Sequence, residues 1–227
     1  MKTVLLTALT MLLLLPCAKA QTVFKKAQEP QSSIYSEQGG ALNGKIKPYL
    51  RGGLSVGSFA GENSNGTGNV CGGMVEGGVQ IPFHNPQYGI QPGLRFVMKG
   101  AKAPWNEGDS NNTTLRLNYL EVPVNFFFKL PAGDKSLLHF AVGLYAAYAV
   151  SGSQKYQGTS YDVFNGKYFN YHRFDTGADV EIGYQYGRVQ FNMGAEVGFI
   201  ALRSKDQNGN NFPENGAIYF TLGYVFN

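Results

Sequence analysis

The chain has 227 residues, with 19 Lys and Arg against 15 Asp and Glu and only two cysteines. This near balance of charge gives no basis for a nucleic-acid partner, and so few cysteines exclude a disulfide-rich fold. The length fits one domain. We find no ligand spacing typical of a metal site and no glycine-rich loop followed by a helix, so the sequence predicts no metal and no cofactor.

The first 20 residues have the pattern of a secretory signal peptide. A lysine precedes an apolar run over residues 4–15, and residues 18–20 form an A-x-A cleavage site. The run is too short to span a membrane as a helix. Its removal leaves 17 basic and 15 acidic residues and one cysteine, Cys71, which we interpret as a small apolar filler. Acylation of Cys17 is a weaker alternative, because Pro16 precedes it.

Residues 21–45 are polar and without period, which predicts a flexible periplasmic lead-in; a short plug inside a barrel is the alternative. From residue 46 the pattern changes to repeated alternation. In the clearest case Leu120, Val122 and Val124 alternate with Glu121 and Asn125, as expected for a strand with one apolar face. The same alternation predicts eight strands, near residues 47–58, 70–82, 88–99, 115–129, 138–150, 173–186, 188–201 and 217–227.

The connections between these strands alternate in length. Those near residues 84–87, 132–136 and 187 are short, whereas those near 59–69, 100–113, 151–171 and 202–216 are long and polar. Each strand is long enough to cross a bilayer when tilted. The sequence therefore predicts an all-β protein, in which residues 46–227 form an eight-stranded antiparallel up-and-down transmembrane β-barrel with periplasmic termini and extracellular loops.

The alternative is a soluble barrel of the lipocalin type, which would turn the apolar face inwards. The predicted strand over 138–150 argues against it, because its less apolar face holds little charge that could keep an exterior soluble. In the membrane barrel that face points inwards, where small residues leave room for long side chains from other strands. Aromatic residues near both ends of the strands fit the girdles of membrane barrels.

The predicted inward face carries many charges. Because an eight-stranded barrel is only wide enough for its side chains to fill it, we expect these charges to pair across the interior and close it. The predicted network is Arg51, Glu76, Arg95, Lys99, Glu121, Arg173, Asp175, Asp179, Glu181, Arg188 and Glu196. Pro123 interrupts this pattern, and we predict a bulge beside it. A narrow porin-like channel is the alternative function for such an interior.

The predicted loops contain aromatic residues that fit a contact surface for a partner, since exposed aromatics anchor interfaces. The candidate extracellular residues are Trp105, Tyr156, Tyr161, Phe164, Tyr168 and Tyr171. One group resembles a catalytic set: His172 and Asp175, with serines at 151, 153 and 160. It has no spacing signature, so we predict no enzyme; an outer-membrane lipid or peptide hydrolase is the less favoured alternative.

Two segments resemble the PorT-like outer-membrane β-barrel family of Bacteroidetes-type bacteria. They are Tyr119-Leu120-Glu121-Val122-Pro123-Val124 and Arg173-Phe174-Asp175-Thr176-Gly177. The similarity extends over roughly residues 47–227. It implies a barrel in a Gram-negative outer membrane but no single activity, although the family's namesake serves the type IX secretion system. We therefore expect a small non-enzymatic outer-membrane protein. Its partners would be outer-membrane lipid and other envelope proteins of a secretion or assembly machine.

Overall fold

The computed structural model describes residues 44–60, 67–102, 113–156, 158–165, 171–203 and 212–226. Over these residues, no helix is both long and apolar enough to cross a membrane. Nine strands form one antiparallel sheet. They are β1 (Lys47–Ala60), β2 (Gly68–Pro82), β3 (Tyr88–Lys102), β4 (Thr114–Gly133), β5 (Ser136–Tyr156), β6 (Thr159–Asp162), β7 (Phe174–Tyr186), β8 (Val189–Ala201) and β9 (Glu214–Val225).

Eight of these strands close into a barrel. The order around the wall is β4-β3-β2-β1-β9-β8-β7-β5, and β5 pairs in turn with β4. The first and last strands pair from Tyr49↔Val225 to Ala60↔Glu214. Because the sheet closes on itself, each barrel strand has a neighbour on both sides. The predicted eight-stranded antiparallel up-and-down barrel is confirmed.

The two ends of the barrel differ in their connections. Short turns at residues 83–87, 134–135 and 187–188 lie where β1 begins and β9 ends, and we call this the turn end. The longer connections join strands at the opposite end, the loop end. In the tightest turn Gly187 has a φ of +57°, in the left-handed region that glycine adopts without a steric penalty. This residue lets β7 return directly as β8.

The apolar side chains lie outside the barrel and the polar ones inside. On β4 the outward residues Leu120, Val122 and Phe126 are 42%, 51% and 44% exposed, whereas Glu121 between them is fully buried. Successive residues of a strand point to opposite faces, so the alternation in sequence becomes two chemically different surfaces. A soluble barrel would have the reverse arrangement. This exterior matches hydrocarbon rather than water.

Aromatic rings form a continuous band on the outside at the turn end. Tyr88 stacks on Phe128 with ring centroids 4.9 Å apart, and Phe128 in turn contacts Phe140 at 6.5 Å. Towards the loop end, Tyr148 and Phe174 lie opposite each other on β5 and β7 and are both more than half exposed. Rings in these two positions match the interfacial girdles of membrane barrels.

The bulge predicted beside Pro123 is wrong. The β3–β4 pairing omits Val122 and Pro123 but resumes at Arg95↔Glu121 in the same register, and Pro123 pairs with Tyr145 of β5 without a shift. Proline lacks only the N–H donor, so a ladder with one gap accommodates it. The register shifts of the β4–β5 pair fall instead at Asn118/Tyr119 and Pro131/Gly133.

Strand β5 is longer than the sequence predicts. Its pairing with β7 ends at Tyr148↔Phe174, yet the strand continues to residue 156. Beyond that point β6 takes the place of β7 and pairs with β5 from Ser153↔Asp162 to Tyr156↔Thr159. The segment predicted as one long loop over 151–171 therefore contains the end of β5 and a ninth, four-residue strand.

Candidate functional site

The centre of the barrel interior is organised around Arg95 of β3, which is completely buried. Its Nε lies 2.7 Å from Glu76 Oε2, its Nη2 lies 2.7 Å from Asp179 Oδ2, and its Nη1 lies 2.8 Å from Glu196 Oε2. Glu121 Oε2 is 3.5 Å from the same Nη1. The planar guanidinium has donors in a fixed fork, so it can hold several carboxylates at once. Arg95 thus joins five strands.

Two further cations extend this network along the barrel. Arg51 Nη1 lies 2.5 Å from Glu181 Oε2, and Arg51 Nη2 lies 2.9 Å from Glu76 Oε1. Lys99 Nζ lies 2.6 Å from Glu121 Oε1 and 2.8 Å from Glu196 Oε1. Because Glu76, Glu121 and Glu196 each contact two cations, the three cations form one connected network.

Tyrosines line the same space. Tyr49 donates to Glu76 Oε1 over 2.5 Å, and Tyr219 donates to Asp179 Oδ1 over 2.7 Å. Lys99 Nζ lies 4.3 Å from the centroid of the Tyr145 ring, a cation–π contact between two buried side chains. Each of these three rings lies opposite a glycine of the neighbouring strand, and the pairs are Tyr49↔Gly78, Tyr145↔Gly177 and Tyr219↔Gly194. The glycines give the rings room to lie across the interior.

The interior holds more acid than base. Nine of the charged residues predicted for the network are buried there: three cations and six carboxylates, namely Arg51, Arg95, Lys99, Glu76, Glu121, Asp175, Asp179, Glu181 and Glu196. Buried charge is costly unless it is paired and hydrogen-bonded. The shared contacts and the tyrosine hydroxyls supply that pairing. Any ion entering this region would meet an acidic environment.

The turn end of the interior is closed by amides. Lys129 Nζ donates to Gln80 Oε1 over 2.6 Å, and Gln80 Nε2 donates to Gln91 Oε1 over 3.0 Å. His139 is fully buried between this layer and the charged centre, with Nδ1 3.4 Å from Glu181 Oε1. The amides and His139 therefore occupy the interior between the turn end and the charged centre.

The loop end of the interior is closed by apolar side chains. Leu115 and Leu117 of β4 point inwards and are completely buried, and Val163 and Leu202 from beyond the strand ends pack into the same cluster. Tyr171 belongs to this cluster and donates to Gln154 Oε1 over 3.1 Å. Burial raises the pKa of the Tyr171 phenol. Amides, charged residues and apolar side chains therefore occupy successive levels of the interior between the two ends.

Two predicted members lie outside the network. Arg188 is exposed in the turn after β7, where its Nη1 donates to the Tyr224 hydroxyl over 3.1 Å. Arg173 lies at the loop-end rim, where its Nη1 donates to the carbonyl of Ala149 and its guanidinium lies 4.2 Å from the Phe164 ring centroid. Both precede a strand rather than lie within it, so the alternation that turns a residue inwards does not apply to them.

The predicted aromatic contact surface is only partly described. Trp105 and Tyr168 lie outside the described residues, as does the side chain of Tyr156. Tyr161 and Phe164 are half-buried at the rim. Tyr171 is only 5% exposed. It packs into the apolar cluster that closes the loop end and therefore does not face solvent.

The residues that resembled a catalytic set lie in different environments. His172 is exposed at the rim, whereas Asp175 is buried in the interior with the Tyr145 hydroxyl 3.3 Å from its Oδ2. Ser151 points outwards and accepts a hydrogen bond from Asn118 Nδ2 over 2.8 Å. A nucleophile needs its base within hydrogen-bond reach, whereas Asp175 and Ser151 contact Tyr145 and Asn118. Over the described residues, no group of three or more His, Cys, Asp or Glu is placed to hold a metal ion.

Our sequence-based site omitted the interior tyrosines. Each of these tyrosines lies two residues before a residue that points inwards. The pairs are Tyr49 and Arg51, Tyr119 and Glu121, and Tyr219 and Thr221. The period of two that placed the charges inside also places these rings inside. We overlooked this signal because tyrosine is equally common in the interfacial girdles.

An apolar exterior around a closed antiparallel sheet, with a filled and charged interior, defines a β-barrel of the membrane-spanning class. Comparison with known proteins agrees. The model of the family described as "Outer membrane protein beta-barrel domain" matches residues 46–207. The chain belongs to this family and is an outer-membrane β-barrel protein.

Several solved outer-membrane barrels are similar to this chain. Ail, the attachment invasion locus protein of Yersinia pestis, solved with the heparin analogue sucrose octasulfate, is 12% identical with a TM-score of 0.40, covering 80% of this chain and 97% of Ail. Neisserial surface protein A is 11% identical with a TM-score of 0.48, covering 80% and 99%. OprG from Pseudomonas aeruginosa is 12% identical with a TM-score of 0.39, covering 82% and 98%. A search of curated protein sequences finds no match.

Proposed function

We propose that this protein is a small non-enzymatic component of a Gram-negative outer membrane, with an interior that serves structure rather than transport. The observation that carries this proposal is Arg95, which is fully buried and contacts four carboxylates from four other strands. A solute could pass only if these ion pairs separated. Breaking a buried pair costs about 3–5 kcal/mol, so the closed state is strongly favoured.

Conductance tests this proposal. We expect the folded protein in planar bilayers to give no large, stable single-channel openings above the lipid baseline. Heat-dependent gel mobility of the same preparation shows that the barrel is folded. Large, stable openings from the folded protein would contradict the proposal.

A narrow channel is the second candidate, and one observation favours it: the charged centre of the interior holds six carboxylates but only three cations, while Lys47 and Lys129 are buried nearer the turn end. Such an interior would attract cations and repel anions. If openings occur, a salt gradient across the bilayer should give a reversal potential for cation selectivity. Anion selectivity would exclude this route through the interior.

We propose that the turn end faces the periplasm and the loop end faces outwards, after cleavage of residues 1–20 and with residues 21–45 as a periplasmic lead-in. Short turns on the periplasmic side and long loops outside are the rule in bacterial barrels. In a Cys71→Ser background, Asp134→Cys marks the turn end and Ser160→Cys marks the loop end; both positions are exposed. A membrane-impermeant maleimide applied to intact cells should label only residue 160. Labelling of residue 134 alone would show the opposite orientation, with the turn end facing outwards.

We further propose that the barrel acts as an anchor or accessory subunit of a larger envelope machine, such as a secretion or assembly system. The resemblance of residues 119–124 and 173–177 to PorT-like barrels supports this role. Trp105, Tyr156, Tyr161, Phe164 and Tyr168 remain candidates for the contact surface. Extraction in mild detergent after chemical cross-linking should recover a defined complex. Recovery of the barrel alone would favour a free-standing envelope protein.

A further inference from the structure

Three exposed cations lie together on the outside of the barrel at the loop end. Lys102 of β3 and Lys155 of β5 both pair with Thr114 of β4, so they lie on either side of it and share its outward face. Arg116 follows two residues later on the same face of β4. Lys102, Arg116 and Lys155 are exposed, and we call these three residues the basic face.

The basic face lies directly beyond the apolar surface. On β4 the outward residues from Leu120 to Phe128 are all apolar. Arg116 lies four residues before Leu120 in the sequence, and therefore nearer the loop end. At about 3.3 Å per residue and a strand tilt of about 40°, Arg116 lies about 30 Å from Phe128 along the membrane normal. That distance equals the typical hydrocarbon thickness of about 30 Å. The basic face therefore begins where lipid headgroups begin.

These cations are confined to one side of the barrel. On the opposite side, β1, β2, β8 and β9 carry no outward Lys or Arg, since the only basic residues in these strands, Lys47 and Arg51, are buried inside. Glu214 lies at the loop end of β9 instead. Arg203, just past β8, is half-buried with its guanidinium over the Tyr171 and Phe212 rings. The three exposed cations on β3, β4 and β5 therefore provide a localised positive surface.

Among the described residues, none of the three cations forms a salt bridge within the protein. Asp162 of β6 pairs with Ser153 of β5, which pairs in turn with Arg116. The Oδ1 of Asp162 accepts a hydrogen bond from the Phe164 amide. Arg173 is already held against Phe164 and the Ala149 carbonyl. The donors of the basic face therefore remain available to an external anion.

We propose that the basic face binds phosphate groups of lipid headgroups in the outer leaflet. This inference rests on the orientation proposed above, which places the loop end outside. An outward surface at headgroup height contacts lipid headgroups, and phosphate matches both the guanidinium fork and the ammonium point charge. The long side chains of Lys and Arg can reach headgroups while their stems lie along apolar surface. The face thus selects anionic lipids, whose phosphates carry uncompensated charge, on one flank of the barrel.

The test uses the full protein in phosphatidylcholine nanodiscs doped with diphosphorylated lipid A, with phosphatidylglycerol in a parallel series. The variant Lys102→Gln/Arg116→Gln/Lys155→Gln removes the basic face. The matched control Lys45→Gln/Lys135→Gln/Arg188→Gln removes the same charge from exposed positions at the turn end. We expect affinity for the phosphorylated lipid to fall about fivefold per cation, on the order of 100-fold for the triple variant, and to stay unchanged in the control.

Equal losses in the two variants, or no preference of the wild type for the anionic lipids (lipid A or phosphatidylglycerol) over zwitterionic phosphatidylcholine, would overturn the proposal. Displacement of the lipid by millimolar inorganic phosphate would also overturn it, because it would assign the face to free phosphate. Both triple variants leave the buried network intact, so their gel mobility and lack of conductance should match the wild type. Loss of the lipid-binding proposal would therefore appear in the affinity measurements, whereas loss of the closed-barrel proposal would appear as conductance.

Discussion

Tyr219 of β9 lies directly opposite Gly194 of β8, and its ring occupies the space that a side chain at residue 194 would need. The Tyr219 hydroxyl donates to Asp179, and the Arg95 guanidinium lies 4.9 Å from the ring centroid. The glycine thus allows the ring to lie flat along the wall and reach the charged centre. Gly194, which has no side chain, therefore determines how Arg95, the most buried cation, is held.

We predict that Gly194→Ala destabilises the barrel by about 1–3 kcal/mol, because the new methyl group overlaps the Tyr219 ring and overpacks the interior. Urea unfolding of the refolded protein in lipid vesicles measures this change. Gly77→Ala is the control: its methyl group would lie 3.7 Å from Leu50 Cδ1, an ordinary contact on the outer surface. Equal stability of the two variants would show that the ring is not constrained by Gly194.

Replacement of Arg95 by methionine should cost about 3–5 kcal/mol in the free energy of unfolding, because buried carboxylates on four other strands would lose their shared cation. Arg95→Lys should recover only part of this loss, since one ammonium cannot reproduce the three-way fork. Arg188→Met removes the same charge from an exposed turn and should change stability by no more than about 0.5 kcal/mol. If Arg95→Met were as mild as Arg188→Met, the network would not contribute to stability.

The tyrosine hydroxyl of Tyr49 makes a separate prediction. It donates to the Glu76 carboxylate, and such charged hydrogen bonds contribute about 1.5–3 kcal/mol. Tyr49→Phe should lower the free energy of unfolding by that amount without changing the size of the side chain. Tyr148→Phe, at an exposed position on the outer surface, provides the matched comparison and should leave stability nearly unchanged. Similar unfolding midpoints for both variants would contradict this role for the Tyr49 hydroxyl.

On the outer surface, we expect the cost of an introduced arginine in folding stability to depend on its depth in the membrane. Leu54 is 67% exposed near the middle of β1, and Leu54→Arg should cost about 2–4 kcal/mol when the protein is folded in a bilayer. Asn69→Arg introduces the same charge on the outward face of β2 near the loop end, where the cost should be about 0–1 kcal/mol. Equal costs at the two positions would mean that lipid does not cover Leu54.

The strands and the contents of the interior could be predicted from the sequence because both follow from alternation alone. Once Leu120 and Val122 are assigned to the outside, Glu121 must point inwards, and the same rule places Arg95 and Asp179. The partners within the network could not be predicted this way. Contact between Arg95 and Glu196 depends on how strands far apart in sequence meet across the closed barrel.

The rim was less predictable, because the alternation fails where the strand leaves the hydrocarbon. Past Val150, outward residues such as Ser151 and Ser153 are polar, so the continuing strand resembled a loop. Tyr171 looked like a surface anchor because its burial depends on packing against Leu202 from another connection. Arg188 was assigned inwards because a turn residue was counted as part of β8. Each error reflects contacts that a short window of sequence does not contain.

Strand β6 has a protective consequence for the molecule. Beyond Tyr148 the backbone of β5 has lost β7 as a neighbour, and its amides and carbonyls would otherwise be open to a strand from another molecule. The four residues of β6 occupy that position. A barrel shortened by deletion of β6 would expose an unpaired strand edge at the loop end. Copies of it would then be prone to join strand to strand and accumulate as aggregates.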